Sequence, residues 1–233
     1  MDYKTILDNI INFLKENNEY IKIKYSRETD IQYAFIKDEI HNGKSPISLQ
    51  KTLVSFYRIR LPEQNTRELL IIIENNKDEI KNTENIMLLY KKYYKEFYNI
   101  TNRNEISFTS KLLNLYNKNI PLYDSQITRY LLTMGFYEDE TPLKKYEALL
   151  NLYKYLFENN YFVNEIKNIK EQIYYKKEIK YVDEYKIFDT LMYSIGDINE
   201  FKKIEKIIKW TGVLHITNGN SYAAYSAARG SVG

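Results

Sequence analysis

The chain has 233 residues, enough to bury a hydrophobic core as one large or two small domains. It contains no cysteine, which excludes disulfides, cysteine nucleophiles and cysteine-ligated zinc. Its two histidines, His41 and His215, are far apart in the sequence, so we predict no metal site and no cofactor. Its 34 basic and 31 acidic side chains give a net charge of +3, which permits nucleic-acid binding without requiring it.

The apolar segments of the chain are short. The longest runs, such as "LLIII" at 69–73, fall well below the roughly 20 residues that a helix needs to cross a bilayer. The N-terminal segment "MDYKTILDNIINFLKENNEY" carries acidic residues within its apolar part and has no small-residue cleavage site. We therefore expect a cytoplasmic protein without a membrane partner.

Apolar residues recur at helical spacing through most of the chain, and no run alternates with a period of two. The four prolines lie between these helical segments, where a missing backbone N–H does least damage. Ser48 before Leu49 and Thr141 before Pro142 have the residue types that begin helices. The pattern predicts an all-α, multi-helix globular domain with roughly eight to ten helices.

The composition suggests three regions: an N-terminal helical region at 1–84, a second helical region at 85–210, and a tail at 211–233. The tail, "TGVLHITNGNSYAAYSAARGSVG", has no lysine, aspartate or glutamate, unlike the rest of the chain. We interpret it as a flexible tail or as sequence left by cloning or by a shifted reading frame, and we assign it no function.

One stretch, "SFTSKLLNLYNKNIPLYDSQITRYL" at 107–131, combines a Ser-Lys pair, a proline and a Tyr-Asp-Ser triplet. Asp124 precedes a segment in which Ile127 and Leu131 recur at helical spacing. Aspartate is among the best residues to begin a helix, because its carboxylate accepts the free N–H groups of the first turn. Capping alone would explain Asp124.

The string "SKLLNLYNKNIPLYDSQITRYL" also resembles the helix-turn-helix segment of helix-hairpin-helix DNA glycosylases, in particular the 8-oxoguanine DNA glycosylase branch. The resemblance implies a DNA glycosylase-like fold for 85–210 and gives Asp124 the position of the carboxylate that stabilises positive charge on the sugar. Lys111 takes a position that faces the base pocket in that family. The resemblance thus implies Asp124 and Lys111 as catalytic candidates, with binding residues around them: Ser107, Ser110, Tyr123 and Ser125.

The resemblance has two departures. The family's nucleophilic lysine aligns near Ser107, which has no amine, and Lys111 lies one turn further along the same helix face. The family's hairpin holds a DNA phosphate with a Gly-x-Gly turn, whereas the segment "NITNRNEISF" at 99–108 has no glycine. These departures favour binding without base release. Glycosylase-like activity stays open as the alternative, in which Asp124 would stabilise the cationic sugar and Lys111 or an activated water would be the nucleophile.

A later segment, "VDEYKIFDTLMYSIGD", is similar to a helix with the pattern D-x-x-L-W-x-x-G in bacterial proteins of uncharacterised function that share the Ser-Lys and Tyr-Asp-Ser strings. Met192 and Tyr193 stand where that helix usually has an aromatic residue. If this helix packs against the one that Asp124 begins, Tyr193 would help to wall a pocket. The resemblance therefore adds Tyr193 to the predicted binding residues.

Two functions remain open from the sequence. The first is a nucleic-acid-binding, glycosylase-like protein that recognises an unpaired or damaged base in DNA. The second is a helical protein–protein interaction module in a bacterial multi-subunit system, in which Asp124 is a helix cap and tyrosine-rich helix faces are buried against a protein partner.

Overall fold

The computed structural model describes residues 2–133, 141–174 and 179–195. The predicted tail at 211–233 and the end of the 85–210 region lie outside the described residues. The described part of the chain contains no strand, which confirms the all-α prediction. Its twelve helices are α1 (Tyr3–Glu16), α2 (Asn18–Lys24), α3 (Arg27–His41), α4 (Gln50–Tyr57), α5 (Glu63–Asn75), α6 (Lys77–Asn82), α7 (Ile86–Thr101), α8 (Ile106–Asn114), α9 (Ser125–Thr133), α10 (Pro142–Glu158), α11 (Asn160–Tyr174) and α12 (Glu184–Ile195).

This number exceeds the predicted eight to ten, partly because two short helices, α2 and α6, each follow a longer one after a single asparagine. The side-chain amide of Asn17 donates to the carbonyl of Phe13 at 2.9 Å, and that of Asn76 donates to the carbonyl of Ile72 at 2.8 Å. Each asparagine thus competes with the backbone for a carbonyl of the preceding turn. The helices therefore break where periodicity alone predicts continuation.

The predicted helix starts have different outcomes. Thr141 lies at the N-cap of α10 with Pro142 as the first helical residue, as predicted. The prediction for Ser48 is wrong, since Leu49 is the N-cap of α4. The Ser48 hydroxyl instead donates to the carbonyl of Ser45 at 2.7 Å, within the turn that precedes the helix.

Two helices, α8 and α12, lie at the centre of the packing. Every residue from 108 to 114 in α8 and from 186 to 192 in α12 is buried. α8 packs against α5, α7 and α10, while α12 packs against α2, α3, α9 and α11. A helix that is buried on all sides must satisfy its polar side chains inside the protein, so the polar residues of α8 and α12 have interior partners.

The described residues all belong to one compact unit. Helices from the two predicted regions, 1–84 and 85–210, pack against each other within it: α5 contacts α7 and α8, and α1 contacts α10 and α11. Among the described helices, none combines the length and the apolar composition needed to cross a membrane. The site predicted at 107–131 includes α8, which thus packs against a helix of the N-terminal region.

Candidate functional site

Lys111 and Asp124 form an ion pair between α8 and the start of α9. The Lys111 Nζ lies 2.9 Å from Asp124 Oδ2, and the two side chains are only 11% and 18% exposed. The other carboxylate oxygen, Oδ1, accepts the backbone N–H of Gln126 at 2.9 Å. Asp124 therefore caps α9 with one oxygen and holds a cation with the other.

Ser110 joins α8 to the chain that leads into α9. Its hydroxyl donates to the carbonyl of Ser107 at 2.9 Å and accepts the backbone N–H of Tyr123 at 2.9 Å. These bonds fix the residue before Asp124 against the residue before Lys111. Five of the predicted site residues are therefore gathered at one place, namely Ser107, Ser110, Lys111, Tyr123 and Asp124.

The other two predicted residues, Ser125 and Tyr193, do not take part in these hydrogen bonds. Ser125 is exposed in the first turn of α9, and Tyr193 is half-buried on α12. Among the described residues, no hydrogen bond or ring contact connects either of them with the Lys111–Asp124 pair. α12 does pack against α9, which is the arrangement that the predicted pocket wall requires.

Tyr57 is a part of the site that the sequence did not indicate. Its ring centroid lies 5.7 Å from Lys111 Nζ, within reach of a cation–π attraction. Its hydroxyl is buried and has no hydrogen-bond partner among the described residues. Burial raises the pKa of this hydroxyl, so it stays protonated and can donate. In the sequence Tyr57 continues the helical stripe of Leu49 and Leu53, a pattern that is typical of core residues.

Further inside, α12 contributes two buried ionisable residues. Lys186 Nζ lies 4.7 Å from the ring centroid of Tyr33, and the hydroxyl of Tyr153 donates to Asp189 Oδ1 at 2.5 Å. Burial lowers the pKa of Lys186 against the opposing pull of nearby carboxylates. Burial also raises the pKa of Asp189 to about 7, although Lys186 works in the opposite direction.

The C-terminal end of α8 is held by a lysine from α3. Lys37 Nζ donates to the carbonyls of Asn114 and Leu115 at 2.5 and 2.8 Å. These carbonyls have no partner inside the helix, and they form the negative end of its dipole. Burial lowers the pKa of Lys37 to about 7. Since the neutral amine also donates, α8 keeps this anchor in either protonation state.

The geometry limits the chemistry available to the lysines. The Lys111 Nζ is held on Asp124 Oδ2 at 2.9 Å and its side chain is buried, so it is not free to approach a sugar carbon. Lys186 has a lowered pKa, but it is buried in the core and out of reach of a substrate. Among the described residues, no group of three histidines, aspartates or glutamates is placed to hold a metal ion. The Asp124 carboxylate holds the Lys111 amine through one oxygen and the Gln126 N–H through the other.

Replacing Tyr57 with phenylalanine is expected to leave the free energy of unfolding unchanged or to raise it by up to about 1 kcal/mol, because the substitution removes a buried hydroxyl that has no partner within 2–133, 141–174 and 179–195. Urea unfolding measures the change. The matched control is Tyr153→Phe, which removes the 2.5 Å bond to Asp189 and should cost about 1–2 kcal/mol. A loss of more than about 1 kcal/mol for Tyr57→Phe would contradict the expectation and indicate that an ordered water satisfies the hydroxyl.

Comparison of this chain with protein-family models, curated proteins and solved structures finds no match. Its function therefore has to be inferred from the side chains themselves and from the residues that carry the resemblance at 107–131.

Proposed function

We propose that this chain is a DNA-binding helical protein, similar in fold to helix-hairpin-helix DNA glycosylases, which recognises an unpaired or damaged base beside the Lys111–Asp124 pair and does not release it. One observation supports the proposal most. A carboxylate with little exposure already holds a cation at 2.9 Å, which is the electrostatic task of the corresponding glycosylase carboxylate toward a positively charged sugar.

Binding without base release follows from the residues around the pair. Ser107, at the position of the family's nucleophilic lysine, has no amine, and its carbonyl is occupied by the Ser110 hydroxyl. The turn between α7 and α8, residues 102–105, has no glycine for a close backbone approach to phosphate. Asn102 there adopts the left-handed conformation, with φ at 51°. The recognition of DNA therefore has to come from side chains.

Asp124→Asn is the variant that tests this proposal. Asparagine caps a helix as well as aspartate does, so the loss of the ion pair should lower the free energy of unfolding by only about 1–2 kcal/mol. Affinity for a duplex with a central unpaired or oxidised base is expected to fall about 10-fold relative to a matched duplex, as for the loss of one charged hydrogen bond. Fluorescence anisotropy with labelled duplexes measures both affinities.

Two further variants complete the experiment. Lys111→Gln removes the cation and should weaken the preference for the damaged duplex by a similar factor. The control is Lys118→Gln, which removes a more exposed ion pair with Asp183 at 3.1 Å and should leave the preference unchanged. Borohydride treatment of the complex should trap no covalent adduct. A wild-type protein that does not distinguish the duplexes would contradict base recognition, and a trapped adduct would contradict binding without chemistry.

One observation favours the second candidate, an interaction module. Ile31 and Phe35 on α3 are 56% and 53% exposed, and together with Phe56 of α4 they line a groove of about 620 Å³. Exposed apolar residues around a groove are typical of surfaces that receive apolar side chains of a partner protein. Substituting Ile31 and Phe35 by serine should not affect DNA binding if the first proposal is correct, and the same anisotropy measurement tests this.

A further inference from the structure

α7 presents a stripe of exposed residues at helical spacing. Leu88, Lys91, Lys95 and Tyr98 follow one another at intervals of three, four and three residues, which places them on one face. Leu88 and Tyr98 are 65% and 42% exposed, while the opposite face of the helix is buried in the core. We call these four residues the α7 stripe. It is a solvent-facing surface that combines cations with apolar and aromatic groups.

The charge of α7 sets it apart from the other described helices. Its three lysines and one glutamate, Glu96, leave a net charge of +2, whereas α3 and α5 each carry −2 (two basic against four acidic residues, and one against three). Lys92 is neutralised by Glu79 at 2.6 Å. Lys91 and Lys95 are exposed and form no ion pair with the described residues. The positive charge of the α7 stripe is therefore available to an anion.

The stripe lies on the helix that precedes the proposed recognition site in the chain. α7 ends at Thr101, and residues 102–105 lead directly into α8, which carries Lys111. Tyr94, at the edge of the stripe, donates its hydroxyl to Asn104 Oδ1 at 2.8 Å and so links α7 to this turn. From Leu88 to Tyr98 the stripe covers about 15 Å along the helix axis, the length of a few nucleotides.

We propose that the α7 stripe is a docking surface for single-stranded DNA, in which Lys91 and Lys95 contact phosphates and the ring of Tyr98 stacks on a base. Single-strand binders combine a basic track with aromatic platforms in this way, because every base has a stacking face and every nucleotide a phosphate. The choice of DNA depends on the proposed function, since a strand whose base is unpaired is locally single-stranded. The surface itself is independent of Asp124 and does not read the base.

The test uses the full chain and a fluorescently labelled oligothymidylate of about 12 nucleotides, long enough to cover the stripe. The double variant Lys91→Gln/Lys95→Gln should bind more weakly, and the slope of log affinity against log salt should shrink by about 1.4, since each phosphate contact on a single strand contributes about 0.7. Tyr98→Ala should weaken binding about 5-fold or more, whereas Tyr98→Phe should keep the wild-type affinity.

The control is Lys22→Gln/Lys154→Gln, which removes two exposed lysines that already pair with Glu19 and Glu158, and it should not change the affinity or the slope. All substituted positions are exposed, and thermal unfolding verifies that the variants remain folded. An unchanged salt slope in the Lys91/Lys95 variant would overturn the proposal. So would full binding by Tyr98→Ala, which would reduce the surface to a general polyanion site.

Two further arms separate this proposal from the function proposed for the Lys111–Asp124 pair. Asp124→Asn should keep its affinity for the oligothymidylate, since only the preference for a damaged duplex depends on that carboxylate. Loss of single-strand binding in Asp124→Asn would overturn the independence of the α7 stripe. An oligouridylate of the same length should bind the stripe with similar affinity, because the phosphate and stacking contacts do not involve the 2′-hydroxyl. Loss of binding to oligouridylate would overturn the assignment of binding to these contacts.

Discussion

Replacing Asp30 with alanine is expected to lower the free energy of unfolding by about 3 kcal/mol or more. Asp30 is fully buried, and its carboxylate accepts three hydroxyl groups: those of Tyr25 and Tyr174 at 2.5 Å and that of Thr190 at 2.6 Å. The substitution leaves these three buried donors without their acceptor and opens a cavity where α2, α3, α11 and α12 meet. An unsatisfied buried polar group costs about 1–3 kcal/mol, so the sum is a large part of the stability of a domain.

Urea unfolding monitored by circular dichroism measures this effect, and two variants make it specific. Asp30→Asn keeps an acceptor oxygen of the same shape and should cost less than Asp30→Ala. Asp8→Ala removes an exposed carboxylate on α1 and should change the free energy of unfolding by no more than about 0.5 kcal/mol. If Asp30→Ala behaved like Asp8→Ala, the three hydroxyl bonds would not contribute to stability.

Local features of this protein could be predicted from the sequence because the residues involved are close in the chain. The helical spacing identified the helices, and the resemblance at 107–131 named Lys111 and Asp124 as residues of one site, although the ion pair between them was not predicted. The prediction that Asp124 caps α9 is confirmed by the Gln126 N–H bond. Residues that are close in the chain have few possible partners, so such contacts can be predicted without knowing how the helices pack.

The interior partners could not be predicted in the same way. The bonds from Tyr33 to Asn114 and from Thr190 to Asp30 join residues 81 and 160 positions apart, so they depend on how the helices pack. In the sequence, Lys186 and Asp189 are residue types typical of a solvated helix face. Only the packed structure shows that α12 is buried on all sides. Tyr57 has the opposite difficulty, since it lies in an apolar stripe and nothing in the sequence indicates that its buried hydroxyl has no partner in the part of the chain that the structure describes.

Asp189→Asn is expected to stabilise the protein at neutral pH and to have little effect near pH 4. Burial raises the pKa of Asp189 to about 7, so the folded state keeps this carboxyl protonated at pH values where the unfolded chain has lost the proton. Its contribution to stability is therefore fully present below the unfolded pKa and is lost as pH rises toward 7. Asparagine has the same shape, accepts the Tyr153 hydroxyl and does not ionise. The variant should gain up to about 4 kcal/mol relative to the parent at pH 7.

The measurement is the free energy of unfolding of both proteins at intervals between pH 4 and 7, and the difference between them isolates Asp189 from the other carboxylates that titrate in the parent. Lys37, whose pKa burial lowers to about 7, makes stability rise with pH only above that value, because only there does the folded state bind fewer protons than the unfolded chain. Its effect therefore falls outside the range from pH 4 to 7. Lys186 beside Asp189 reduces the gain, since it favours the ionised carboxylate. A variant whose stability runs parallel to that of the parent throughout this range would show that Asp189 is ionised and paired in the folded state.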